Sequence, residues 1–212
     1  MNYQSIIGIF LDILLILFLF VLNKQNRQKL TVKLLARTAV ISAISIILYV
    51  VPFFNLNVPF FPSFLQIHLD EIPAFIGGFA YGPISAVLIL VIKTLAKLPS
   101  STTMYAGEIF DLIISLVFVL PAVVIYKKKK TFKNVLIAFG VSSAIQVVFA
   151  SIFSTYVAIP FYLTLFPLNI EIGPKLLFAT LVPFNLFKDA IVIIITLLIY
   201  KKLHNFIDRL AD

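Results

Sequence analysis

Asn185, Lys188 and Asp189 are spaced by three and four positions, so a helix would carry all three on one face. Asn185 offers two donors and an acceptor, and Lys188 a cation with three donors, a set suited to hydrogen-bonding a small ligand. Glu108 and Asp111 share a second face. They could work as an acid/base pair, or they could pair with Lys188 and hold helices together, as Asp189 could. Lys93, His68, Asp70, Glu71, Ser154 and Thr155 complete the polar set. No phosphate-binding G-x-x-x-x-G-K-[ST] loop, H-E-x-x-H or G-x-S-x-G motif occurs, so ATP hydrolysis, zinc proteolysis and serine hydrolysis lose their main supports. Cysteine is absent, and His68 and His204 are far apart in no metal-binding pattern. The expectation is a ligand-binding protein without metal or cofactor, not an enzyme.

The elements that must carry these groups are membrane helices. Of 212 residues, 61% are hydrophobic and 12% charged, against about 45–50% and about 25% in soluble domains. So much apolar surface needs a bilayer as its solvent. Seven apolar runs approach the roughly 20 residues a span requires: residues 6–22, 34–51, 69–80, 84–98, 104–126, 135–160 and 180–200. The third is short and ends in Gly77-Gly78 and Tyr81-Gly82-Pro83, a breaker that turns the chain into the next helix. The first lacks a preceding basic leader and a following small-residue cleavage site, which reads as a retained helix rather than a secretory signal. Its Asp12 is a lone carboxylate.

The net charge of +8 sits in short loops, which argues against nucleic acid as its partner. Lys24, Arg27, Lys29, Lys33 and Arg37 form one cluster; Lys127, Lys128, Lys129, Lys130 and Lys133 a second; Lys201, Lys202 and Arg209 a third. Seven spans put all three on one face. The positive-inside rule then sets the N-terminus outside and the C-terminus in the cytoplasm. Lys188 falls roughly 20 Å outward of Lys201 at 1.5 Å per residue, and Lys93, Glu108, Asp111, Ser154 and Thr155 gather toward the same outer end. Charges within spans are costly and mark function by default. Polar outer halves over apolar inner halves argue for a pocket open to the outside, because a pore would be polar along its whole length.

Ala39 and Ala43 form a small-xxx-small pattern, flanked by Ala36 and Ser42, that lets another helix approach closely. Read together, the segments PFFPSFLQIHLDEIPAFIGGFAYGP, GEIFDLIISLVFVLPAVVIYKKKK, STYVAIPFY and VPFNLFKDAIVIIITLLIYKKL resemble the substrate-binding S subunits of energy-coupling factor vitamin importers, most of all the riboflavin-specific ones. The resemblance covers residues 34–203. It implies an all-α six-helix bundle over residues 34–212, to which residues 1–33 add an extra N-terminal transmembrane helix and basic loop. It also implies a membrane-embedded coupling subunit docking at Ala39 and Ala43, and two ATPase subunits supplying energy. Asn185 and Lys188 match residues that contact the flavin, and the loop matching the family's lid carries Phe61, Phe64 and Leu65 to pack on its ring. His68, Asp70, Glu108 or Asp111 would reach the ribityl hydroxyls. Thr94, Asp111 and Ser154 or Thr155 stand where riboflavin members usually have Asn, so pantothenate, a pyridine vitamin or folate stays open as ligand. An intramembrane enzyme using Glu108 and Asp111, or a structural membrane protein, is the alternative from outside the family.

Overall fold

The protein is described here from a computed structural model, which covers residues 31–62, 65–165 and 173–211, with side chains to Lys202. Among the described residues, six longer helical segments follow one another. Helix α1, Val32–Val50, is N-capped by Thr31, whose hydroxyl accepts from the Leu34 amide at 3.2 Å. A loop with a short antiparallel pair, β1 (Leu56–Asn57) and β2 (Gln66–Ile67), leads to α2, Glu71–Tyr81. Gly82, at φ 91°, makes the turn into α3, Pro83–Lys97, a backbone conformation open to glycine at no steric cost. Helix α4 is Ala106–Lys128. Helix α5 begins as Phe132–Phe153, passes through a π-helical turn at Ser154–Ala158 and continues as Ile159–Leu165. Helix α6 starts at Pro174–Leu176, widens into a second π turn at Leu177–Leu181 and runs on as Val182–Ala211.

Each π turn is followed within two residues by a proline, Pro160 and Pro183. A proline inside a helix has no N–H to donate and its ring crowds the carbonyl four residues back. Widening the preceding turn relieves both problems.

Helices α1, α3, α4, α5 and α6 are long and apolar enough to cross a bilayer. Helix α2, with 11 residues, is not. The third expected span is thus a short buried plug, not long enough to cross a bilayer alone. It still returns the chain from the ion-paired end to the basic end, so the expected order of the helices is kept over the described residues. The first, residues 6–22, lies outside the described residues. The plug is the centre of the core. Phe75 meets Phe118 and Phe139 at 4.9 and 5.0 Å between ring centroids, and Phe79 meets Tyr126 at 4.6 Å. Gly77 and Gly78 let this helix sit close to its neighbours: a Cβ at Gly78 would run into Val123 and Ala86, and one at Gly77 into Ile89.

The outer surfaces invert the soluble pattern. On α1 the buried positions are Thr38, Ser42, Ser45 and Tyr49, while Val40, Ile44 and Ile47 are exposed. On α5, Ile137, Val141, Ile145 and Val148 are exposed. The inward polar groups are bonded, Thr38 to Ser85 at 2.7 Å and Ser45 to the Asp70 carbonyl at 2.7 Å. This is how a helix is built when lipid is its solvent.

The basic clusters converge as the charge pattern requires. Tyr126 and Tyr200, each beside a Lys pair, share a hydroxyl hydrogen bond at 3.0 Å. Phe79 packs on both rings, and two residues on, Tyr81 lies under the Arg37 guanidinium at 5.6 Å. Residues of all three clusters thus occupy one end of the bundle.

Gly78→Val should lower stability by about 1–3 kcal/mol, the usual cost of overpacking a core. Gly140→Ala, where an added Cβ meets nothing within 4 Å, should leave the melting temperature unchanged or slightly raised. Thermal unfolding of the two variants in detergent checks the contrast.

Candidate ligand site

The site is built at the end opposite the basic clusters, around two neighbouring carboxylates that open α2. Asp70 is paired with Lys93 of α3, which also bonds Asp111 of α4 at 2.8 Å. Glu71 accepts from Lys188 of α6 at 2.7 Å and from Ser115 of α4 at 3.0 Å. Lys93, Asp70 and Glu71 are all at most 1% exposed. A lone buried charge would be expensive, so each lysine keeps its charge by means of a carboxylate. Tyr49 of α1 presents its ring face to Lys93 at 4.3 Å, a cation–π contact that adds to the pairing.

Outside the spans, His68 closes the same cluster from the loop. Its ring meets Tyr49 edge-on at 5.3 Å, and its Nδ1 lies 3.1 Å from the Asn55 side-chain oxygen. Burial lowers its pKa below the ordinary value, against the opposing pull of Asp111 and Asp70, which keeps the imidazole neutral at physiological pH.

A polar ladder joins α5 to α6. Ser143 donates to Asp189 at 2.7 Å, Gln146 donates to the Asn185 carbonyl at 3.3 Å, and the Asn185 amide donates to the Leu181 carbonyl at 2.9 Å. The upper rung opens onto a cavity of about 170 Å³. Its polar lining includes His68, Asp111, Tyr162, Asn185 and Lys188, and its apolar lining Leu65, Phe110, Ile114 and Phe184. Phe61 closes on Phe184 with 5.3 Å between ring centroids. Small-molecule sites typically measure about 300–1,000 Å³, so the described walls stand closer together than a filled site requires.

The expected site residues divide into two groups. Leu65, His68, Asp111, Ser154, Asn185 and Lys188 line the cavity, and Phe61 packs against its wall. Asp70, Glu71 and Lys93 stand behind that lining and pair among themselves and with it. Thr155 is buried and bonds the Ser151 carbonyl at 2.8 Å. Glu108 accepts from Ser101 and Thr103 at 2.8 and 2.9 Å, ordering the turn before α4. Phe64 lies outside the described residues. Glu108 and Asp111 hold different partners, an arrangement unlike an acid/base pair. The partner of Lys188 is Glu71, 117 residues away, rather than Asp189, Asp111 or Glu108. Ala39 and Ala43 are exposed on the outer surface of α1.

Sequence reasoning missed Gly107, Phe110, Ile114, Ala158, Tyr162, Leu181 and Phe184 in the lining, which also takes Gln66 from the loop that matches the lid. One signal could have found part of this set. Prolines inside two predicted helices imply widened turns, and those turns supply Ser154, Ala158 and Leu181 to the cavity. The aromatic positions carried no mark that distinguishes a cavity wall from core.

Comparison with known proteins places this architecture. The chain matches the family described as "ECF transporter, substrate-specific component" over residues 33–200. It is 27% identical over 188 residues to the riboflavin transporter RibU of Staphylococcus aureus (strain TCH60), covering 88% of this chain and 100% of that one. To the riboflavin transporter FmnP of Bacillus subtilis (strain 168) it is 25% identical over 180 residues, covering 82% and 94%. The solved S component of a bacterial ECF transporter has the same fold, with a TM-score of 0.70, 24% identity and coverage of 82% of this chain and 96% of that one. A helical membrane bundle with basic clusters at one end and buried ion pairs at the other, matched to the family over most of its length, is therefore a multi-pass membrane protein of the ECF transporter family, one of its substrate-specific components.

Proposed function

We propose that the chain captures riboflavin from outside the cell and delivers it inward within an ECF importer. The observation that carries the reading is a lysine amine, Lys188, held by Glu71 at the wall of a partly aromatic cavity. The riboflavin ring system is flat and apolar over most of its area and carries carbonyls, ring nitrogens and one imide N–H along one edge. Lys188 would donate to the carbonyls and ring nitrogens. Asn185 would join it by turning to the ligand the amide hydrogen it gives Ser151 at 3.4 Å, and Asp111, which only accepts, would take a ligand N–H or hydroxyl. Phe110, Tyr162 and Phe184 would provide apolar contact, and Phe61 and Leu65 would have to shift to admit three fused rings. The names of the two curated relatives support this choice of vitamin.

The basic end belongs in the cytoplasm by the positive-inside rule, which turns the cavity outward and the C-terminus inward. Ala36, Ala39 and Ala43 form an exposed small-residue stripe on α1. This stripe would receive a transmembrane coupling subunit, and two ATPase subunits would supply the energy for which this sequence has no phosphate loop. The small cavity favours one second reading, a smaller vitamin such as pantothenate or a pyridine vitamin. Folate, larger than riboflavin, is disfavoured by the same observation.

Riboflavin fluorescence should be quenched on titration with purified protein, and Lys188→Ala should weaken binding at least tenfold. A ligand thermal-shift screen that stabilises the protein with another vitamin, and not with riboflavin, would move the assignment to that vitamin. Replacing Ala39 and Ala43 by Leu should leave riboflavin affinity within twofold while abolishing uptake in cells that carry the whole importer. Equal loss of binding and uptake would place these alanines in the fold rather than at an interface.

A further inference from the structure

The polar ladder between α5 and α6 runs in one direction, and it runs short of hydrogens. The Leu181 carbonyl can only accept, so Asn185 turns its amide nitrogen to it, at 2.9 Å. The Asn185 side-chain oxygen then takes a hydrogen from the Gln146 amide at 3.3 Å. With its nitrogen committed to Asn185, Gln146 is left with an oxygen that has nothing to accept. Asp189 takes a hydrogen from Ser143 on one carboxyl oxygen, and its other oxygen also lacks a donor. Both side chains are wholly buried. Ser143 and Gln146 are three positions apart on α5, and Asn185 and Asp189 four apart on α6, so the two unmatched acceptors belong to adjacent rungs.

The cations of the site are committed elsewhere. Lys188, next to Asp189 along the chain, gives its amine to Glu71, and Lys93 is shared by Asp70 and Asp111. Asp70 and Glu71 each have an unmatched oxygen too, but each holds a lysine through the other one. Among the described residues Asp189 is paired with no cation. Ionised, it would be a buried charge without a counter-charge, and the Gln146 oxygen would stay unsatisfied; both are costly in a lipid-solvated bundle. One hydrogen on Asp189 removes both faults, because the acid becomes neutral and gains an O–H to give.

We propose that Asp189 is held as a neutral carboxylic acid whose hydroxyl donates to the Gln146 oxygen, and that Asp189 and Gln146 thereby act as positioning residues for Asn185. Every group then has one assignment: Asp189 donates to Gln146, Gln146 donates to Asn185, and Asn185 keeps only amide hydrogens to offer. Asn185 lines the cavity and the other two do not. The ladder therefore fixes what Asn185 shows a ligand, a hydrogen and never its carbonyl. Resting on the proposed capture of a vitamin, this favours a ligand that places a carbonyl or ring nitrogen there over one that places an N–H or hydroxyl.

The proton is tested on the full chain in detergent at neutral pH, without ligand, by infrared difference spectroscopy of the parent against Asp189→Asn. The parent should show the carbonyl band of an un-ionised carboxylic acid, shifted by exchange into heavy water, that the variant lacks. A difference holding only carboxylate bands would overturn the proposal. In Gln146→Met the acid band should remain and rise in frequency, because its hydroxyl has lost an acceptor; an unmoved band would show that the hydrogen goes elsewhere. Riboflavin titration then tests the positioning. Asp189→Asn, which keeps a donor and an acceptor in place, should bind within threefold of the parent, while Asp189→Leu and Gln146→Met should each bind at least fivefold more weakly. Equal affinity in all three variants would refute the positioning role. A parent that does not bind riboflavin at all would sink the choice of vitamin alone, since both infrared measurements are made without it.

Discussion

Two lysines buried in a lipid-solvated bundle stay charged only where carboxylates are brought to them, and here one dipeptide brings both. Asp70 and Glu71 are adjacent, so their side chains leave the first turn of α2 in different directions, one to Lys93 and one to Lys188. Through those pairs the short helix is tied to α3 and α6, and through Asp111 and Ser115 to α4. The Asp70 carbonyl accepts from Ser45 of α1, which adds a fourth helix. Breaking a buried pair by removing one partner typically costs about 3–5 kcal/mol. The same contacts hold Lys188 at the cavity wall, so fold and site rest on one set of interactions.

The plug helix explains the division of the bundle into two ends. From Glu71 to Tyr81 it descends from the ion pairs to an aromatic cluster of Phe79, Tyr126 and Tyr200. Polar partners collect where it begins, and tight ring packing seals the bundle where it stops. A ligand admitted at the polar end therefore meets a closed floor. Under the proposed function, movement of the vitamin to the other side would call for a rearrangement of this floor or of the whole subunit in the membrane, driven by the coupling partner.

Much of the architecture was legible because a bilayer imposes simple rules. Helix positions followed from apolar length, and the shared end of Arg37, Lys127 and Lys201 followed from the number of spans between the basic clusters. The weakness of the third span was visible in its glycines, whose purpose is close packing around a buried helix. What could not be read was which charge meets which. Spacing placed Asp189 beside Lys188, yet Glu71 is its partner across 117 residues, since helical neighbours say nothing about contacts between helices. Asp70, Glu71 and Lys93 stand behind the cavity lining, paired with Lys93, with Lys188 and Ser115, and with Asp70 and Asp111 respectively, pairings between helices that spacing along the chain does not reveal. Phe110 and Phe184 were illegible for another reason: in a chain with 22 phenylalanines, a cavity wall and a core position look alike.

The central claim is that the Glu71–Lys188 pair supports the bundle while the Lys188 amine serves the ligand, and a double-variant comparison separates these roles. Melting temperature and riboflavin affinity would be measured for Glu71→Gln, Lys188→Met and the two combined. Each single change should destabilise the protein. The combined change should recover much of that stability, because neither charge is left unpaired, yet should still bind riboflavin at least tenfold more weakly than the parent. Recovery of affinity together with stability would contradict the account, for it would show that the lysine acts only as a staple between helices.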